Sequence, residues 1–171
     1  MSESIIQAIY NRNKEIASYL HQTGEITYES EVRDSFRKIL VLSIASYFEK
    51  EVKEIILSFV RKKSQSELIP NFVERKAVER QYHNFFQWDK ANVNNFLGLW
   101  GVEFKKRCQD IISSNTDLEA SIRDFIELGR TRNELVHLDF ANFQLPKNDE
   151  EYFALYLSAE RFIRFLREQL K

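Results

Sequence analysis

Between Gly24 and Pro70 the chain contains neither glycine nor proline. A stretch of that length lacks the residues that open tight turns or accept left-handed backbone, so it is poorly suited to the short strands of a β-sandwich. Within it Phe36, Ile39, Leu40, Leu42, Ile44, Tyr47, Phe48, Val52, Ile55, Ile56 and Phe59 recur at helical spacing, which predicts one long helix over 29–63. Charged residues fill much of its other face. Arg61, Lys62 and Lys63 suit the end of that helix, where unpaired carbonyls carry partial negative charge.

The same scarcity holds throughout, with four Gly and two Pro in 171 residues. Ile5, Ile6, Ile9, Ile16 and Leu20 predict a first helix over 3–21, with Gly24 as its stop. Pro70 and the polar run before it interrupt the pattern, and a shorter helix is expected over 71–81. Residues 82–92, with Tyr82, His83, Phe85, Phe86 and Trp88, are the least regular part, and the cluster is expected to pack in a core or a dimer contact, against the alternative of stacking on bases. A helix over 93–112 follows, whose small pair Gly98 and Gly101 suggests close helix–helix approach. Thr116 with Glu119 has capping-box spacing and begins a helix over 116–138. Pro146 marks a loop over 139–147, and Asn148 with Glu151 begins the last helix. No internal repeat, low-complexity tract or second domain is visible. Residues 1–171 therefore read as an all-α chain, a single helical bundle of five or six helices.

Hydrophobic residues make up 43% of the chain, enough for a buried core, but the net charge of −1 argues against holding duplex nucleic acid by overall charge. Any nucleic-acid contact must be local, in a cleft or on a basic face built by two subunits. Cys108 is the sole cysteine, so an intramolecular disulfide is impossible. Cys108, His21, His83 and His137 have no zinc-ligand spacing, and neither metal nor cofactor is expected. The opening MSESIIQAIYNRNKE lacks the basic and apolar regions of a signal peptide, and no apolar run approaches the roughly 20 residues that cross a bilayer. A cytoplasmic protein is expected.

The helix over 116–138 breaks its own pattern. Leu118, Ile122, Phe125, Ile126 and Val136 form one apolar stripe, and Leu128 and Leu135 add a second edge. Toward the C-terminal end the same surface changes to Gly129, Arg132, Asn133 and His137. Burying such groups costs free energy unless they are paired or open to a cleft. Two readings compete. The bland one makes His137 a helix-end feature and Arg132 a salt-bridge partner of Glu134 or Glu127. The functional one makes the polar patch a site.

The string Arg-Asn-Glu-Leu-Val-His over 132–137 resembles the signature of the HEPN superfamily: an Arg, a polar residue that is often Asn, and a His a few positions later, near the end of a helix in a small bundle. The segment with Ser43, Ala45, Ser46, Tyr47, Phe48 and Glu49, and the run Phe96-Leu97-Gly98-Leu99-Trp100-Gly101, are similar to the RiboL-PSP branch of HEPN nucleases. The resemblance covers roughly residues 30–170. Two positions depart from relatives. Leu138 replaces the Gly that often follows the His. Asp139 stands where toxins paired with nucleotidyltransferase antitoxins carry Tyr, so a tyrosine-modifying antitoxin is not implied.

The resemblance implies RNA cleavage without metal, with the ribose 2′-hydroxyl as nucleophile. The residue types suit this chemistry. His137 would act as general acid or base, Arg132 would stabilise the phosphate, and Asn133 would orient either. Arg130 is a candidate RNA-phosphate contact against the simpler reading of a solvated charge. Glu49 is a candidate support for Arg132 against that of a surface carboxylate. Relatives pair two motifs, and this chain has one, so a homodimer is implied, with RNA as substrate and a neutralising or regulatory protein as a further partner. The implied role is a toxin or phage-defence effector. The alternatives are a non-catalytic HEPN module that binds RNA or nucleotide, and a helical dimerisation or adaptor protein.

Overall fold

A computed structural model describes residues 4–171. Residue 3, where the first helix was expected to begin, lies outside them. Every regular element among the described residues is helical: α1 (Ile5–Gln22), α2 (Ile26–Lys63), α3 (Leu68–Val73), a π turn (Glu74–Val78), α4 (Tyr82–Phe85), α5 (Asn94–Gly98), α6 (Val102–Ser113), α7 (Thr116–His137) and α8 (Asp149–Gln169).

The all-α expectation holds, but eight α-helices replace the five or six expected. One extra element is α4, inside the segment over 82–92 that was expected to be least regular, and the other comes from a local break. The helix expected over 93–112 divides because Gly101 takes φ +96° and ψ 166°, a conformation open to glycine and strained for other residues. Gly98 does not support close helix packing either, since an added Cβ there would meet only Lys105 Cδ, at 4.0 Å. The helix expected after Pro70 instead begins before it. Pro70 sits in the first turn of α3, where its missing N–H would have no intrahelical partner. The chain then passes through the π turn and reverses at Arg80, which has φ 59°.

The caps are local devices. Ser4 Oγ accepts the Gln7 N–H at 3.1 Å to start α1. At α7 the cap is Asn115, whose Oδ1 accepts the Leu118 N–H at 3.0 Å, rather than Thr116. The capping box expected at α8 is present. Asn148 Oδ1 accepts the Glu151 N–H, Glu151 Oε2 accepts the Asn148 N–H, and each bond is 2.8 Å.

Three helices build the centre. α7 and α8 make the most extensive contact, and α2 packs across both. α1 lies on α2 and reaches α8, where the Tyr10 ring stacks on Phe153 at 4.0 Å. Leu40, Val41, Ile44, Phe48 and Val52 of α2 are buried on one side, which explains how a helix of 38 residues is held along its middle. The rings of Phe86 and Phe96 close the core beneath α4 and α5, stacked at 5.1 Å.

The break at Gly101 generates a first test. Gly101→Ala should lower stability by about 1–3 kcal/mol, the usual cost of forcing a residue with a Cβ into such a conformation. Gly98→Ala, which meets open space in a helix, should be neutral or stabilising. Urea unfolding midpoints of the two variants check the contrast, and equal midpoints would show that no break exists at Gly101.

Candidate active site

The buried side of α7 runs through Leu118, Ser121, Ile122, Phe125, Leu128 and Leu135. Ser121 sits in this apolar row because its Oγ donates to the Leu118 carbonyl at 2.8 Å. Leu118, Ile122, Phe125 and Ile126 of the expected stripe are buried, and Leu128 and Leu135, expected only as an edge, are buried as completely. Val136, expected in the main stripe, is 49% exposed. In the last turn of α7 Leu135 still packs in the core, whereas Val136, His137 and Leu138 after it are all exposed.

Where the core face passes Gly129, the chain admits an outside ring. A Cβ at Gly129 would lie 2.8 Å from Trp88 Cη2 and nearer still to two other indole carbons. Trp88 therefore rests on bare helix backbone. Its indole N–H donates to the His83 carbonyl at 3.0 Å, which curls the 83–88 segment on itself. Asn95 Nδ2 donates to the carbonyls of Asn84 and Phe85 at 3.1 and 3.0 Å and ties that curl to α5.

Above this contact lies a cleft of about 520 Å³. Three pieces of chain line it. Gly129, Arg132, Asn133 and His137 come from α7, and Ala45 and Glu49 from α2. Arg80, Tyr82, His83 and Trp88 come from the segment after the π turn. The motif residues thus share one cavity, with Arg132 and Asn133 half-buried and His137 exposed.

The ion pairs around the cleft matter as much as its lining. Glu134 pairs with Arg130 at 3.9 Å, and Glu127 with Lys147 at 2.6 Å. Both carboxylates that the bland reading assigned to Arg132 are engaged elsewhere. Glu49, the candidate support for Arg132, lines the cleft but pairs with Lys53 one turn along α2. That i,i+4 geometry is available within its own helix and outcompetes a longer reach. Arg132 instead donates from Nη1 to Asn133 Oδ1 at 3.1 Å. Among the described residues no carboxylate lies within salt-bridge distance of it. A guanidinium held by a neutral amide in a cleft keeps its charge available to an anion. Arg130 is exposed and does not line the cleft.

Tyr82 stands between these charges. Burial pushes its hydroxyl well above the ordinary phenol range, the Glu49 carboxylate adds to the rise, and the Arg132 guanidinium opposes it. It is a neutral donor at any physiological pH.

The aromatic cluster over 82–88, expected to pack in a core or a dimer contact, divides in two. Phe85 and Phe86 are buried in the core, whereas Tyr82, His83 and Trp88 line the cleft. Arg80 was not anticipated at all. It belongs to no motif, and its left-handed backbone is not signalled by a residue that rarely adopts it. Among the described residues no three His, Cys, Asp or Glu side chains are grouped to hold a metal ion, and no helix is long and apolar enough to cross a membrane.

The model of one family, RiboL-PSP-HEPN, matches residues 7–171. The chain belongs to this family. No curated protein and no solved structure gives a significant match. The RiboL-PSP-HEPN match carries the resemblance back from about residue 30 through nearly all of α1. It also takes in both the α7 motif and the 80–88 segment, so the whole lining of the cleft lies inside the family's matched region.

The contact between Trp88 and Gly129 can be read by fluorescence. In a Trp100→Phe background, emission reports Trp88 alone. Gly129→Ala should expel the indole into water, shift that emission to the red and cost about 1–3 kcal/mol through overpacking. Unchanged emission and stability would mean that the ring does not occupy this place.

Proposed function

We propose that the protein is a metal-independent endoribonuclease acting at the cleft around Arg132, Asn133 and His137. The observation that carries this reading is the state of Arg132: half-buried in a cleft, bonded to a neutral amide, without a carboxylate partner among the described residues, and one turn or so from an imidazole on the same helix. Membership of the RiboL-PSP-HEPN family supports it.

In the proposed reaction the ribose 2′-oxygen attacks phosphorus and loses its proton to a neutral imidazole. The bond to the 5′-oxygen breaks, and that oxygen takes a proton from an imidazolium. The products are a 2′,3′-cyclic phosphate and a 5′-hydroxyl. Arg132 holds the non-bridging oxygens as charge builds on them. An imidazole can serve in both forms near neutral pH, which is why a histidine suits either end of this exchange. The net charge of −1 is no obstacle, because the cation that meets the phosphate is concentrated in the cleft.

The reading includes a homodimer. Val136, Leu138 and Phe140 are 49%, 55% and 47% exposed around the end of α7. Apolar residues gathered beside a polar cleft favour a contact surface, and a second copy there would bring its own Arg132 near the first. As a cellular role we propose a toxin or phage-defence effector, with a regulatory partner restraining it. The second reading is a non-catalytic RNA-binding module. One observation favours it: the His137 ring has no hydrogen-bond partner among the described residues, so nothing in a single chain selects its tautomer.

His137→Ala and Arg132→Ala should each lower RNA cleavage by about 100-fold or more while melting curves stay close to wild type. Cleavage should continue in EDTA and leave 2′,3′-cyclic ends, as end-labelled product mapping would reveal. Full activity in either variant removes the assignment. RNA binding without cleavage by the wild type would select the module instead.

The dimer is tested separately. Wild-type protein should sediment as a dimer, and Leu138→Asp should shift it toward monomer by placing a charge in the apolar contact. A wild-type monomer at tens of micromolar would leave this surface without the proposed role.

A further inference from the structure

The chain that leaves α7 just after His137 is an exposed connection, yet it is wound tightly. Asp139 Oδ1 accepts the Ala141 N–H at 3.1 Å, and Asp139 Oδ2 accepts from Asn142 Nδ2 at 2.6 Å. The Asp139 carbonyl accepts the N–H groups of Asn142 and Phe143 at 3.2 and 2.8 Å. An aspartate that bonds its own backbone two residues on builds a turn of this kind. The Asn142 side chain and the Ala141 N–H also hold the Asp139 carboxyl below the ordinary aspartate range, so the turn is charged and formed at neutral pH.

One side chain from another helix fastens this turn. Lys38 of α2 donates from Nζ to the carbonyls of Phe140 and Ala141, at 2.6 and 3.1 Å. The same ammonium stands 5.2 Å from the centre of the Phe140 ring, over its face. A lysine on a helix ordinarily takes an acid one turn away. Here the acid at that spacing, Asp34, is engaged by Arg37, and among the described residues no carboxylate lies within salt-bridge distance of Lys38. Its charge is given over to two carbonyls and a ring. Further along, Lys147 pairs with Glu127 of α7 at 2.6 Å. The connection is thus pinned to α2 near its start and to α7 near its end. Only Leu138 and Asp139 separate His137 from the first pin. Leu138 and Phe140, 55% and 47% exposed, belong to the apolar surface proposed above for a second copy. Phe140 also borders a groove with Ile39, Phe143 and Leu145, and a ring released from Lys38 gains by turning into it, away from any partner.

We infer that Lys38 is a positioning residue for the homodimer: it latches the turn after His137 and so presents Leu138 and Phe140 to a second copy of the chain. Lys38 does not line the cleft, so it acts on the motif only through the contact that brings two motifs together. A surface fixed before association loses less freedom when it is covered, which is how a single latch on an exposed turn strengthens a contact. The inference rests on the dimer reading above and adds to it a residue of α2, about a hundred positions before the motif.

The test uses the full chain with Lys38→Met and Lys38→Arg. Methionine keeps an unbranched stem without the charge, whereas arginine keeps the charge and can donate to both carbonyls. Sedimentation over a range of concentrations should show the Lys38→Met dimer weakened about tenfold, the usual effect of losing a hydrogen bond from a charged group. Lys38→Arg should stay near wild type. Melting curves taken at a dilution where the wild type is also dissociated should coincide for all three proteins. RNA cleavage by Lys38→Met should be slow in dilute solution and regain the wild-type rate per chain when the protein is concentrated about tenfold further. A Lys38→Met dimer of unchanged affinity overturns the inference and leaves the dimer reading standing. Cleavage that stays slow at every concentration, or a lowered melting point in the dissociated protein, also overturns it, since Lys38 would then serve the fold of one chain. A wild-type monomer removes the dimer reading, and the inference falls with it.

Discussion

The Phe125 ring is the point on which the rest of this structure leans. It lies 5.6 Å from Phe48 of α2, 4.9 Å from Phe162 of α8, 5.0 Å from Phe86 and 5.9 Å from Trp88. One side chain thus joins the two helices that pack on α7 to the irregular segment that arches over it. The contacts to Phe48 and Phe86 are edge to face and the other two tilted, and aromatic pairs at such distances gain energy beyond simple burial. Because Phe125 is one turn before Gly129, the contact that builds the core also sets the height at which Trp88 crosses α7. The cleft begins where that crossing ends.

Cleft polarity follows from how the charges are shared out. The acids near α7 are taken by cations that reach them easily: Glu127 by Lys147, Glu134 by Arg130, Glu49 by Lys53. Such half-exposed pairs add little to stability. Their consequence is spatial. Among the described residues they leave Arg132 hydrogen-bonded to an amide and without a carboxylate partner, in the cleft. The result is a chain of near-neutral net charge with a locally cationic pocket, which is compatible with binding one phosphodiester and not with gripping duplex backbone along its length.

Much of the helical framework was legible from residue spacing because amphipathic helices announce themselves locally. α2, α7 and α8 fall within a few residues of their expected bounds, and the box of Asn148 and Glu151 marks the start of α8 as expected. The misses share a cause. Gly101 reads as a small residue suited to helix packing until its φ is known, and Pro70 reads as a breaker until its place in a first turn is known. Both residues are compatible with two local structures, and only the path of the following chain selects one. Val136 was misplaced because a helical wheel has no end, whereas a core does.

The sequence by itself determined the helical class, the long α2, and the gathering of Arg132, Asn133 and His137 toward one end of α7, because each depends on positions a few residues apart on a regular helix. Tertiary structure decided which carboxylates would be spent on which cations, that Trp88 would lie on Gly129, and that Arg80 and His83 would enter the same cleft as a motif some fifty residues further on. Helical periodicity relates neighbours within a turn or two. The joining of the 80–88 segment to α7 depends on rings packing across a core, and no local pattern along the chain encodes it.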